Sequence, residues 1–176
     1  MSLYKNGFVV AEINTGELIY NAWPLSDLLN DKMAELLTEE ADISWFMQYD
    51  MQHIAPDSGY IKKYLDYCNS IKLKVKVLLF ESLNNTIVVD DKFEICEVLG
   101  FDCIGSVYFS YLQTEYKDYE LDLSKKNIAL NKHGLLDKLE DVLYFIELRK
   151  KYIADGISLE DFWEELPVRI SIVNII

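Results

Sequence analysis

Apolar positions recur along this chain at two periods, and together they predict a mixed α and β fold. Phe8-Val9-Val10-Ala11-Glu12-Ile13 and Glu17-Leu18-Ile19-Tyr20-Asn21-Ala22-Trp23 are rich in β-branched and aromatic residues. The link Asn14-Thr15-Gly16 puts a glycine where a three-residue loop needs a left-handed residue, so the two segments predict a β-hairpin. Pro24 ends it. Ser26 then caps a helix over about 26–41, with Leu29, Met33, Leu36 and Leu37 on one side. Residues 43–55 are apolar and aromatic without a clear period, and Pro56-Asp57-Ser58-Gly59 reads as a turn before a short helix from Tyr60 to Asn69. Lys72, Lys74 and Lys76 alternate with Leu73, Val75 and Val77, the pattern of a strand with one buried face and one lysine face suited to guarding a sheet edge.

Thr86–Val89 and Phe93–Val98 predict two more strands around an Asp90-Asp91 turn. Val107–Leu112 fits a strand, with a helix left open by period alone, and 113–134 reads as a long polar connection. The strongest helical pattern runs over 135–154. Leu135, Leu139, Val142, Leu143, Ile146 and Ile153 make its apolar face; Asp137, Glu140 and Asp141 come early and Arg149-Lys150-Lys151 late, as the helix dipole favours. Gly156 is placed to end it, Ser158 to cap a short helix through Glu165, and Pro167 to break that helix before a β-prone tail, Val168–Ile175. The expected architecture is α+β: residues 1–176 as one domain, a mainly antiparallel sheet with the 26–41 and 135–154 helices packed on it.

Composition bounds the rest. A chain of 176 residues with 51% hydrophobic content can bury a sizeable core. No run approaches the roughly 18 uncharged apolar residues that span a bilayer, and Met1–Asn6 does not lead into a secretory apolar segment, so a cytoplasmic protein without membrane contact is expected. Three cysteines with no CxxC pair indicate reduced thiols rather than disulfides or a zinc knuckle.

The net charge of -13 disfavours direct nucleic-acid binding, and it is unevenly placed. Residues 26–50 and 93–123 each carry -6 and 155–176 carry -4, while 124–154 carry +3. Within the first block Asp27, Asp31, Glu35 and Glu39 stand four apart, one acidic stripe along the expected helix. Such i,i+4 repulsion costs a few tenths of a kcal/mol per pair, which interleaved lysines would have avoided. Tyr116, Asp118, Tyr119, Glu120 and Asp122 combine tyrosines with carboxylates, and Glu160, Asp161 and Glu164 accompany Phe162 and Trp163. Aromatic area beside acids suits the covering of a basic protein. These twelve acids and tyrosines are the expected partner-binding residues.

Catalytic chemistry is thinly represented. Gly100 and Gly105 have the spacing of a phosphate loop, but the Lys-Ser or Lys-Thr it requires is replaced by Ser106-Val107. Neither Asp90-Asp91 nor Asp118/Glu120/Asp122 belongs to a calcium-loop pattern, so no cofactor or metal is expected. One enzymatic alternative remains, a small-molecule site assembled from Asp102, Cys103 and His133. A self-associating structural protein is another, and the sequence leaves oligomeric state open.

By its whole profile the chain resembles the immunity proteins of bacterial polymorphic and contact-dependent toxin systems. The matching features are the 27–39 stripe, the acidic and aromatic segment from Phe101 to Asp122 and the Glu160–Glu165 cluster. The resemblance implies a small acidic cytoplasmic protein that binds a cognate toxin domain and blocks its active site or the region beside it. It is a likeness of type and carries no motif residue by residue.

Overall fold

The computed structural model describes residues 7–12, 58–82, 93–105, 110–156 and 165–176. Within them lie strands β1 (Gly7–Glu12), β2 (Val75–Ser82), β3 (Phe93–Ile104) and β4 (Leu166–Ile175), and helices α1 (Ser58–Ser70), α2 (Tyr111–Ser124) and α3 (Leu139–Ala154). The strands form one sheet in the order β1-β2-β4-β3, and every neighbouring pair is antiparallel. The α+β class read from the sequence is the one found. The expected helix over 26–41, the second arm of the first hairpin, residues 43–55, the strand at 86–89 and the helix from Ser158 lie outside the described residues.

β2 and β4 are the two inner strands, and their sequences say so in the same way. Val77-Leu78-Leu79-Phe80 is a continuous apolar run, the signature of a strand covered on both faces, and all four residues are buried. The C-terminal tail, expected to join the sheet, lies between β2 and β3. Leu78 and Phe80 pair with Ile172 and Ile170, and with Val168, Leu99, Ile104 and Leu135 they form the core on one face. Phe101 and Cys103 alternate with Ile104 and pack instead with α2 and α3 around Leu112, Tyr119, Leu136 and Phe145. α1 packs on β1 and β4.

Three local expectations are corrected. Of the three alternating lysines only Lys76 lies in β2, and it does not guard an edge, because β1 and β4 flank that strand. Lys72 belongs to no strand at all. It takes a left-handed conformation (φ 59) after α1, where Lys72 N–H donates to the carbonyl of Asn69 and Leu73 N–H to that of Cys68, the paired bonds of a Schellman cap. Residues 111–124, expected as strand end and polar connection, are helix α2. Ser110 caps it by accepting from the Gln113 N–H at 3.2 Å, and Asn127 (φ 56) with Ile128 closes it through a second Schellman cap onto Ser124 and Leu123. Finally α3 starts at Leu139 rather than Leu135, because Leu136 is already committed to the sheet: its N–H and carbonyl exchange bonds of 3.0 and 2.8 Å with Phe101.

The turn between α2 and α3 is organised by Asn131. Its Oδ1 accepts from the N–H groups of His133 and Leu135, and its Nδ2 donates to the Leu99 carbonyl and to Asp137. This brings the 131–136 segment hard against β3 at Gly100, which has φ +145; a Cβ there would stand 2.8 Å from the Leu136 carbonyl oxygen and 2.9 Å from Leu135 Cβ. Gly100→Ala is therefore expected to lower unfolding free energy by at least about 2 kcal/mol, read as a drop in the urea midpoint with unchanged slope. A midpoint equal to that of the unsubstituted protein would show that the turn yields freely.

Candidate functional site

Of the twelve residues expected to face a partner, the described region contains five, all on α2; Asp27, Asp31, Glu35, Glu39, Glu160, Asp161 and Glu164 lie outside it. The helix divides the five. Asp118 and Glu120 are exposed, beside an apolar Leu121 that is 73% exposed. Tyr119 is not on that surface. It is 2% exposed, its ring edge-on to Phe145 and Tyr152 at 5.4 and 4.9 Å between centroids, as a core aromatic. Tyr116 is half-buried and donates its hydroxyl to the Ile128 carbonyl. Asp122 accepts from Lys125 at 2.6 Å and from the Tyr152 hydroxyl at 2.6 Å, and these bonds hold its carboxyl below the usual carboxylate range. Tyr119, Tyr116 and Asp122 are thus engaged within the fold, and Asp118 and Glu120 remain presented to solvent.

Beneath that surface lies a cluster of charge that the sequence concealed. Arg149, 0% exposed on the inward side of α3, grips Glu115 of α2 with two bonds, Nε to Oε2 at 2.5 Å and Nη2 to Oε1 at 2.8 Å. Its Nη1 donates to Glu165, the residue that leads into β4. The face of Tyr111 lies 3.7 Å from the guanidinium carbon. Burial works against the charged guanidinium, but the bonds and charges of Glu115 and Glu165 more than offset it, so the group is held protonated. Lys150 Nζ stands 3.7 Å from Glu165 Oε2, a carboxylate oxygen that is buried without a hydrogen bond. The cluster joins α2, α3 and the residue that leads into β4.

The residues of the enzymatic alternative are not brought into one constellation. Cys103 is fully buried, and burial followed by the charge of Asp102 pushes its thiol well above the ordinary value, the reverse of nucleophile activation. Asp102, also fully buried, accepts from the Cys103 N–H at 2.7 Å and from the Ser110 hydroxyl at 3.0 Å. His133 turns toward Glu97, with Nε2 3.8 Å from Oε1. Among the described residues no group of three or more His, Cys, Asp or Glu is placed to hold a metal ion, and no helix is long and apolar enough to cross a membrane.

Comparison with protein-family models, with curated proteins and with solved structures found no match.

Proposed function

We propose that the chain is a non-catalytic, cytoplasmic acidic binding protein of the immunity or inhibitor type, which covers a basic partner such as a toxin nuclease domain. The observation that carries this reading is where the acid surplus lies. Charge serving solubility alone has no reason to gather in two stretches of the chain. The stretch 13–57 has nine acids and one base, and 157–164 adds three acids.

The register fixes where the two acidic stretches join the sheet. Glu12, from which the acid-rich stretch departs, pairs with Val75 at the end of the sheet where Phe93 pairs with Ile175. Exposed Glu94 and Glu97 are close to that end. Leu166, which follows the second acidic stretch, pairs with Ile104 at the opposite end. Concentrated negative charge speeds encounter with a cationic surface and makes the rate fall with salt.

The test expresses the domains encoded in the adjacent reading frames and measures stopped-flow association with any that is basic. Reversal of the stripe (Asp27→Lys, Asp31→Lys, Glu35→Lys, Glu39→Lys) should slow association at least about tenfold at low salt and flatten its salt dependence, with a smaller change in dissociation. An association rate that ignores all four reversals would overturn the role of the stripe.

A further inference from the structure

β3 changes character along its length. From Gly100 onward its outer edge is occupied, since Phe101 exchanges backbone bonds with Leu136 and Ile104 bridges to Ser110. From Glu94 to Val98 every residue is exposed, and among the described residues no strand pairs with that edge. The register shift at Cys96 sets Glu94 and Glu97 opposite Asn174 and Ile172, and Ile95 and Val98 opposite Val173 and Ser171. The two acids therefore share one face and the two apolar residues, 42% and 50% exposed, share the other. Cys96 itself lines a groove of about 690 Å³, whose walls include Leu65 of α1, Val75 and Val77 of β2, and Val173 and Ile175 of β4.

The geometry points to the 94–98 edge of β3 as the place where a partner protein adds a strand, one whose side chains alternate between basic and apolar. This inference rests on the basic-partner reading above and gives it an address. Main-chain bonds to an open edge supply affinity, and alternate side chains supply selection. On one face the incoming cations meet Glu94 and Glu97; on the other, apolar side chains cover Ile95 and Val98 beside the groove. His133 does not cancel the charge of Glu97 at neutral pH, because burial and the neighbouring Lys132 lower its pKa below the usual imidazole value. Lys76 is the other cation facing His133. A second copy of this chain fits less well. Antiparallel pairing about Ile95 and Cys96 sets Glu94 of one copy against Glu97 of the other, and like charges directly opposite are destabilising.

The experiment titrates the isotope-labelled full chain with a peptide of about eight residues alternating lysine and valine. Controls are the same peptide N-methylated on alternate amides and a scrambled peptide of equal composition. Amide shifts and slowed exchange should be confined to Glu94–Val98 and their β4 neighbours. N-methylation, and separately Val98→Lys at its exposed position, should each weaken binding about tenfold or more, with the far-UV circular dichroism of the variant unchanged. If the methylated and scrambled peptides bind as well as the alternating one, the edge site is wrong while a basic-partner reading survives. If none binds, the edge site is wrong, and the stopped-flow charge reversal separately decides the reading beneath it. A dimer that Val98→Lys dissolves would hand the edge to a second copy and overturn the proposal.

Discussion

Arg149→Ala is expected to cost about 4 kcal/mol of folding stability at neutral pH, a loss that would move the urea midpoint by about 2 M. The reason is what it leaves behind. Glu115 and Glu165 have side chains only 9% and 2% exposed, and both direct oxygens at the guanidinium. Without it, two carboxylates stay buried, with half-exposed Lys150 3.7 Å from one oxygen of Glu165. Tyr111 loses the group stacked on its ring as well. Arg149→Lys should recover only part of the loss, because an ammonium does not reproduce the two-bond grip on Glu115. Neutralising the cluster together tests the cause: Arg149→Met with Glu115→Gln and Glu165→Gln should be clearly more stable than Arg149→Ala, since well-packed neutral groups replace a buried ionic set at little net cost. If the triple variant is no better than the single one, the loss comes from packing and the ionic account fails.

That cluster also explains which parts of the fold were legible in the chain. The C-terminal strand and the body of α3 were read well, through the β-prone run Val168–Ile175 and the apolar face that includes Val142 and Ile146, and Gly156 marks the end of α3 with its φ of +70. β2 was reached by a different route, the alternation of Lys72, Lys74 and Lys76 with Leu73, Val75 and Val77, although the strand begins at Val75 and is buried on both faces over Val77–Phe80. α2 was not legible, because its buried side runs Tyr111, Leu112, Glu115, Tyr119 and Leu123, with a carboxylate in the middle of the apolar stripe. Glu115 is held there by Arg149, which reaches it from another helix, and a partner 34 positions away leaves no trace in local spacing. Arg149 was disguised in the mirror-image way. Beside Lys150 and Lys151 it looks like a cation placed for the helix dipole, whereas the structure turns it inward and leaves the two lysines outside. The 94–98 edge of β3, unpaired among the described residues, was hidden for a topological reason: strand order decides which strand has a free side, and the crossover that puts β4 between β2 and β3 is a long-range fact.

The second large effect is a dependence of stability on pH through Asp102. Burial pushes its carboxyl from 3.8 to about 7, against the two bonds from the Ser110 hydroxyl and the Cys103 N–H, which pull it down. The folded state therefore keeps a proton that the unfolded chain releases. Below about pH 4 both states are protonated and nothing is lost. As pH rises from 3.8 toward 7 the unfolded state alone ionises, and stability falls by about 1.4 kcal/mol per pH unit, reaching about 4 kcal/mol once both states are ionised. Asp102→Asn keeps an oxygen to accept both bonds and removes the titration. Its unfolding free energy minus that of the unsubstituted protein should rise by about 4 kcal/mol between pH 4 and pH 8, measured by urea unfolding across that range; parallel curves would sink the account. Ser110→Ala probes the same site from the helix side. It removes a bond to the ionised carboxylate and the cap on Gln113 together, so it should cost about 1 kcal/mol at pH 4 from the cap alone and more at pH 8, where the buried anion loses a donor too. A loss independent of pH would mean that the hydroxyl serves α2 only and that Asp102 does not need it.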